Sequence, residues 1–249
     1  MKKQDLILLV GLFFMLLTSS VGYAQKITLA YVDFPPYEYQ ENNEPKGVLV
    51  EIVKTLFERA NIPLDLQYLP FKRAYQDTLD GKIAGLFNFY KTAERLPLFD
   101  YSEPIIMNPL VFFVKKDSAL QFNTLEDLKG LRIGAMVGYT YGEEFDNTTL
   151  FTIDRVSSHE INFRKLAAGR LDAYPCDKLV GSYVAQKENV LAALKILPNP
   201  LKVMEGHIGF QKGRHPEVLA KINAVLEQMK AKGEIEQMIT TYLQQLQAK

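Results

Sequence analysis

Tryptophan is absent from this 249-residue chain, cysteine occurs once, as Cys176, and there are 3 histidines. A single thiol excludes an intrachain disulfide, so an exported form must hold its fold by burial, which this length permits. His159, His207 and His215 lack metal-ligand spacing, and no H-E-x-x-H, Gly-rich phosphate loop or nucleophile elbow is present. Net charge is lacking too, with 29 basic side chains against 29 acidic ones. That balance offers no attraction for nucleic acid or an anionic membrane surface. Long apolar runs are also missing: residues 6–17 (LILLVGLFFMLL) form a run of twelve, too short to span a bilayer comfortably. Lys2 and Lys3 precede it, and the small residues Gly22 and Ala24 follow. This is the pattern of a secretory signal peptide, 1–24, cleaved after Ala24. No cysteine follows the run to carry a lipid anchor. Without this leader the chain has 225 residues, 27 basic and 28 acidic, enough for one large or two small domains.

What remains alternates between strand-like and helix-like segments. ITLAYV (27–32) is β-prone, and Leu49, Ile52, Val53, Leu56, Phe57 and Ala60 then recur at helical spacing. LDLQYL (64–69), AGLFNF (84–89), PLVFFVKK (109–116), RIGAMV (132–137) and HIGFQK (207–212) read as further strands. Between them lie helical patterns over FKRAYQDTLDG, TLEDLKG and the segment after Ser157, where Ser157 and Glu160 have capping-box spacing. Val218, Leu219, Ile222, Val225, Leu226 and Met229 share a face of a late helix that breaks at Gly233. Alternation of this kind predicts an α/β fold with mostly parallel sheets covered by helices. TLDGKIAG (78–85) and LAAGRLDA (166–173) echo one another, as two similar α/β units would.

Several segments, in order, resemble the family 3 extracellular solute-binding proteins, periplasmic receptors for polar amino acids that serve ABC importers. They are ITLAYVDFPPYEY, GVLVEIVKTL, TAERLPLFDYSEP, TLEDLKGLRIGAMVGYTYG, LAAGRLDAYPCD and the C-terminal stretch from HIGFQKGRHPEV to MITTYL, together covering nearly all of 26–243. The resemblance implies a two-lobe periplasmic-binding-protein fold of the hinge-closing type II. Lobe one would hold 25–107 and 207–249, lobe two 111–203, with crossovers near 108–110 and 204–206. Ligand would sit in the cleft between them.

The same resemblance supplies a candidate site. Arg95 falls on the position whose guanidinium forks onto a ligand carboxylate, a role suited to its fixed charge and paired donors. Thr140 matches the second-lobe turn that binds the same carboxylate, and Asp177 the acid that meets a ligand ammonium. Asp177 also stands where it would cap the helix beginning near Lys178. Phe34 and Phe71 match aromatic walls, and Asn88 and Tyr139 complete the expected contacts. The turn before Arg95 departs from the family pattern: Phe87, Asn88, Phe89 and Tyr90 replace small hydroxyl residues, and Tyr31 stands where receptors for basic amino acids carry an acid. Both changes argue against lysine or arginine as ligand.

The function implied is a monomeric, non-enzymatic periplasmic receptor, without cofactor or metal, that delivers a small carboxylated solute to an ABC permease. Two other classes share the fold. One is a cyclohexadienyl-type dehydratase, which needs a cleft carboxylic acid such as Glu38 or Asp177. The other is a ligand-reporting partner of a membrane sensor.

Overall fold

The computed structural model describes residues 26–139 and 141–247; the expected leader and its cleavage point lie outside them, as does Thr140. The first strand, β1 (Ile27–Tyr31), pairs in parallel with β4 (Leu64–Tyr68) and β5 (Gly85–Phe89). Its side chains alternate between two buried faces. Leu29 and Tyr31 join a cluster under helix α1 (Val48–Arg59), while Ala30 faces α2 (Phe71–Leu79) on the other side. Helix α1 buries Leu49, Ile52, Val53, Leu56 and Phe57, the spacing read in the sequence. It starts at Gly47, where φ is 121° and a Cβ would lie 2.2 Å from the Tyr37 carbonyl oxygen. Only glycine fits both requirements.

Between β1 and α1 the chain makes a small hairpin, β2 (Tyr39–Glu41) and β3 (Glu44–Lys46), absent from the sequence reading. After β5 come the short β6 (Phe99–Tyr101) and the long β7 (Ile106–Lys115). The second part of the chain holds β8 (Arg132–Met136), α3 (Glu143–Asp146), β9 (Thr152–Val156), α4 (His159–Ala167), β10 (Tyr174–Asp177), α5 (Lys178–Lys187) and β11 (Leu194–Ile196). Then β12 (Lys202–Gln211) returns to the first sheet, and α6 (Pro216–Ala231) and α7 (Glu234–Gln247) close the order. The cap of α4 is Ser158, whose side chain accepts from the Ile161 amide, one residue later than the Ser157 expected.

The sheets are mixed. Parallel pairing holds for β4–β1–β5 and for β8–β9, whereas every pairing made by β7 and β12 is antiparallel. The cause is connectivity: β7 and β12 are each a single long strand running in opposite directions. Residues 106–110 pair with 202–206, so the two strands form a ribbon. Beyond it, β7 pairs with β10 and β11, and β12 with β5 and β6. A second cluster, with Phe112, Val114, Leu128, Ile133 and Phe145, packs around the far half of β7.

The internal echo is physical. Helices α2 and α4 end alike, with Gly81 and Gly169 both at φ 69°. The Lys82 amide reaches back to Asp77 O and the Arg170 amide to Lys165 O, the same stop in each half.

Candidate functional site

A cavity of about 320 Å³ lies against one face of the ribbon. Strand alternation puts Asn108 and Leu110 of β7 and Lys202 and Met204 of β12 on that face. Met107 and Val203 point the other way and are exposed. The rest of the wall comes from both halves of the chain: Phe34, Tyr90, Thr92 and Arg95 from the first, Tyr139, Tyr141, His159 and the β10–α5 corner from the second.

Arg95 is fixed by its turn. The Thr92 carbonyl accepts from the Arg95 and Leu96 amides, and the Arg95 carbonyl from those of Leu98 and Phe99. Pro97 costs nothing here, since no bond needs its nitrogen. The guanidinium lies 4.6 Å from the Phe89 ring centre, 5.3 Å from Phe71 and 5.9 Å from Tyr75. One nitrogen donates to the Tyr90 carbonyl at 3.1 Å, leaving most of its five N–H groups free. Among the described residues it has no carboxylate partner.

Asp177 ends β10 and caps α5, its Oδ1 accepting from the Leu179 and Val180 amides at 2.9 Å each. The Tyr37 hydroxyl donates to the same carboxylate at 2.9 and 3.0 Å, bridging the first and second parts of the chain across the site. Burial outweighs these bonds and pushes the Asp177 carboxyl up to about 6.

Of the other expected residues, Phe34 lines the cavity and stacks on Tyr37 with centroids 5.5 Å apart. Tyr139 lines it and is half exposed. Phe71 lies outside the lining residues and packs beside Arg95. Asn88 also sits behind the wall, at φ 53°, its Oδ1 accepting from Asn108 Nδ2 at 3.0 Å. The Asn108 amide also meets the Tyr90 hydroxyl at 2.9 Å. Buried Glu38 adjoins Asn88, and desolvation pushes its carboxyl pKa well above the usual value.

Sequence reasoning missed Tyr90, Tyr141, Leu110, Met204 and Lys202, all members of the wall. His159, noted in the sequence only for lacking metal-ligand spacing, is a wall residue, with Nδ1 2.6 Å from the Tyr174 hydroxyl and 3.5 Å from Cys176 Sγ. Burial lowers its pKa and keeps the ring neutral. Cys176 is buried in β10. Among the described residues no group of three or more His, Cys, Asp or Glu is placed to hold a metal ion. No helix among them is long and apolar enough to cross a membrane.

Two sets of α/β elements joined by a two-strand ribbon, with a small aromatic, cation-bearing cavity against it, define a two-lobe solute receptor. Residues 27–245 match the family model for bacterial extracellular solute-binding proteins, family 3, and the chain belongs to that family. It is similar to the arginine-binding extracellular protein ArtP of Bacillus subtilis (strain 168), at 26% identity over 88% of this chain and 86% of that one. The L-cystine-binding protein TcyJ of Escherichia coli (strain K12) is 22% identical over 82% of this chain and 76% of its own. Substrate-binding domain 2 of Lactococcus lactis GlnP, in an open conformation, shares the fold at a TM-score of 0.69, with 22% identity over 87% of this chain and 94% of that one. Both curated relatives are named as binding proteins.

Proposed function

We propose that this protein is a monomeric periplasmic receptor that closes around a small carboxylated solute, an amino acid or a relative of one, and hands it unchanged to an ABC importer. The observation that carries this reading is Arg95: a guanidinium held by an aromatic box in a cavity wall, without a carboxylate partner among the described residues. Such a group binds a carboxylate by a charge-assisted fork. Asp177 offers its remaining lone pairs to a ligand ammonium, and Phe34 and Tyr139 would pack on the solute body. Lobe one is 25–107 with 207–249, lobe two 111–203, and the ribbon near 108–110 and 204–206 is the hinge. Export follows cleavage after Ala24. The amino-acid class draws support from the names of the relatives.

Catalysis is disfavoured by the state of the acids. Asp177 is engaged by a helix cap and Tyr37, and Asp177 is the only carboxyl among the described lining residues. A split pair of acids, the usual acid–base arrangement, is not assembled there. Native mass spectrometry of gently purified protein tests the reading. A one-to-one complex with a small acid, released with unchanged mass after incubation, is expected. Conversion of the solute, or failure of any small carboxylate to bind, contradicts it.

A further inference from the structure

The charges facing the cavity do not balance. Its lining holds Arg95 and Lys202 as cations and Asp177 as its only described carboxyl, and His159 is neutral. Lys202 sits in one row across the ribbon with Leu110 and Asp177, because β12 places Lys202 opposite Leu110 and β10 places Asp177 opposite the same residue. Two strand spacings separate Lys202 from Asp177, about 10 Å between backbones. No ion pair joins Lys202 to Asp177, and among the described residues its ammonium has no carboxylate partner. The Asp177 carboxylate already accepts from two backbone amides and Tyr37, which leaves mainly Oδ2 open to a ligand. Lys202, of intermediate exposure, lines the cavity with Leu110, Met204 and Pro175, an apolar surround in which an anion is a strong partner for its ammonium.

We propose that Lys202 is a specificity-determining residue, and that the solute carries a second acidic group which Lys202 holds while Arg95 holds the first carboxylate. This rests on the receptor reading and narrows it to diacids. The geometry of the ribbon suits the task. Lys202 and Arg95 approach from different elements, so a ligand spanning them is clamped at both ends. Met204 and Leu110 supply apolar contact for the carbon chain between the two acids. Two cations against one shared carboxylate also disfavour a solute with a cationic side chain, in keeping with Tyr31 standing where an acid would serve such a ligand.

The test uses size-matched pairs that differ only in the second group: L-glutamate and L-glutamine, L-aspartate and L-asparagine, succinate and succinamate. Calorimetric titration is run on the wild type, Lys202→Met, Lys202→Arg and Arg95→Ala, with ligand-free melting temperatures as the folding control. At least one diacid should bind the wild type about tenfold or more tighter than its half-amide. In Lys202→Met the diacid should fall to the affinity of its half-amide, and Lys202→Arg should recover part of the preference. Equal binding within every pair, with Arg95→Ala still abolishing it, overturns the Lys202 proposal and leaves the receptor reading standing. A preference that survives in Lys202→Met overturns it too. Binding of none of the diacids by the wild type, at millimolar concentration, overturns it and leaves the receptor reading to the mass-spectrometric test.

Discussion

Arg95 and Asp177 show two ways in which a charge is kept near a small cavity. Arg95 is placed by a double turn and three aromatic rings, contacts worth roughly 0.5–2 kcal/mol each that restrict the side chain without neutralising it. Asp177 is buried far enough that desolvation dominates, and its carboxyl rises from the ordinary 3.8 to about 6. The folded protein therefore holds that proton more tightly than the unfolded chain. Its contribution to stability is complete below pH 4 or so and is lost as pH rises through about 6, on the order of 2–3 kcal/mol. Asp177→Asn keeps an oxygen to cap α5 but cannot ionise. The stability of this variant relative to wild type should grow between about pH 4 and 6 and then level off, measured by urea unfolding across that range. Glu38, whose pKa is also raised by burial, is present in both proteins, so the difference isolates Asp177. A difference that is flat with pH would show that the Asp177 carboxyl is not shifted.

Among the elements, β7 and β12 matter most for the site, and both are longer than their apolar signal. The sequence reading began the late strand at His207, yet β12 starts at Lys202. The reason is physical: Lys202–Met204–Glu205 faces a cavity on one side and solvent on the other, so no run of buried apolar residues marks it. The helices were legible because α1 and α6 bury whole faces, and the echo around Gly81 and Gly169 was legible because left-handed caps favour glycine. The β2–β3 hairpin carried a usable cue, Asn42 and Asn43, both at positive φ in its turn. Of the expected site residues, Arg95, Asp177, Phe34 and Tyr139 reached the cavity wall, whereas Phe71 and Asn88 took places behind it. Gly206 gives a test of the ribbon. A Cβ there would lie 2.7 Å from Asn88 Oδ1 and 2.8 Å from Ile106 Cγ2. Gly206→Ala should destabilise the protein by about 1–3 kcal/mol, seen as a lower denaturant midpoint. An unchanged midpoint would mean that the ribbon tolerates rearrangement at this point.

The whole molecule is a member of the family 3 solute-binding proteins, and β7 and β12 join its two sets of α/β elements. If the ribbon is the hinge, a solute that touches both lobes favours the closed arrangement by its differential affinity for it. Tyr37 reaches Asp177 across the site. Small-angle scattering should show a decrease in radius of gyration on saturation with the bound acid. It should also show a larger ligand-free radius for Tyr37→Phe than for wild type. Identical curves in all of these states would contradict hinge closure.

The central claim, that Arg95 receives the carboxylate of the solute, is tested most directly by calorimetric titration of Arg95→Ala against wild type with the acid recovered in native mass spectrometry. Losing the fork leaves the bound anion without its counter-charge, a cost of roughly 2–5 kcal/mol. The account predicts an affinity lower by about 30-fold or more, little recovery in Arg95→Lys, and a variant that still folds, its melting temperature lowered only by the lost ring contacts. Wild-type affinity in Arg95→Ala would contradict it.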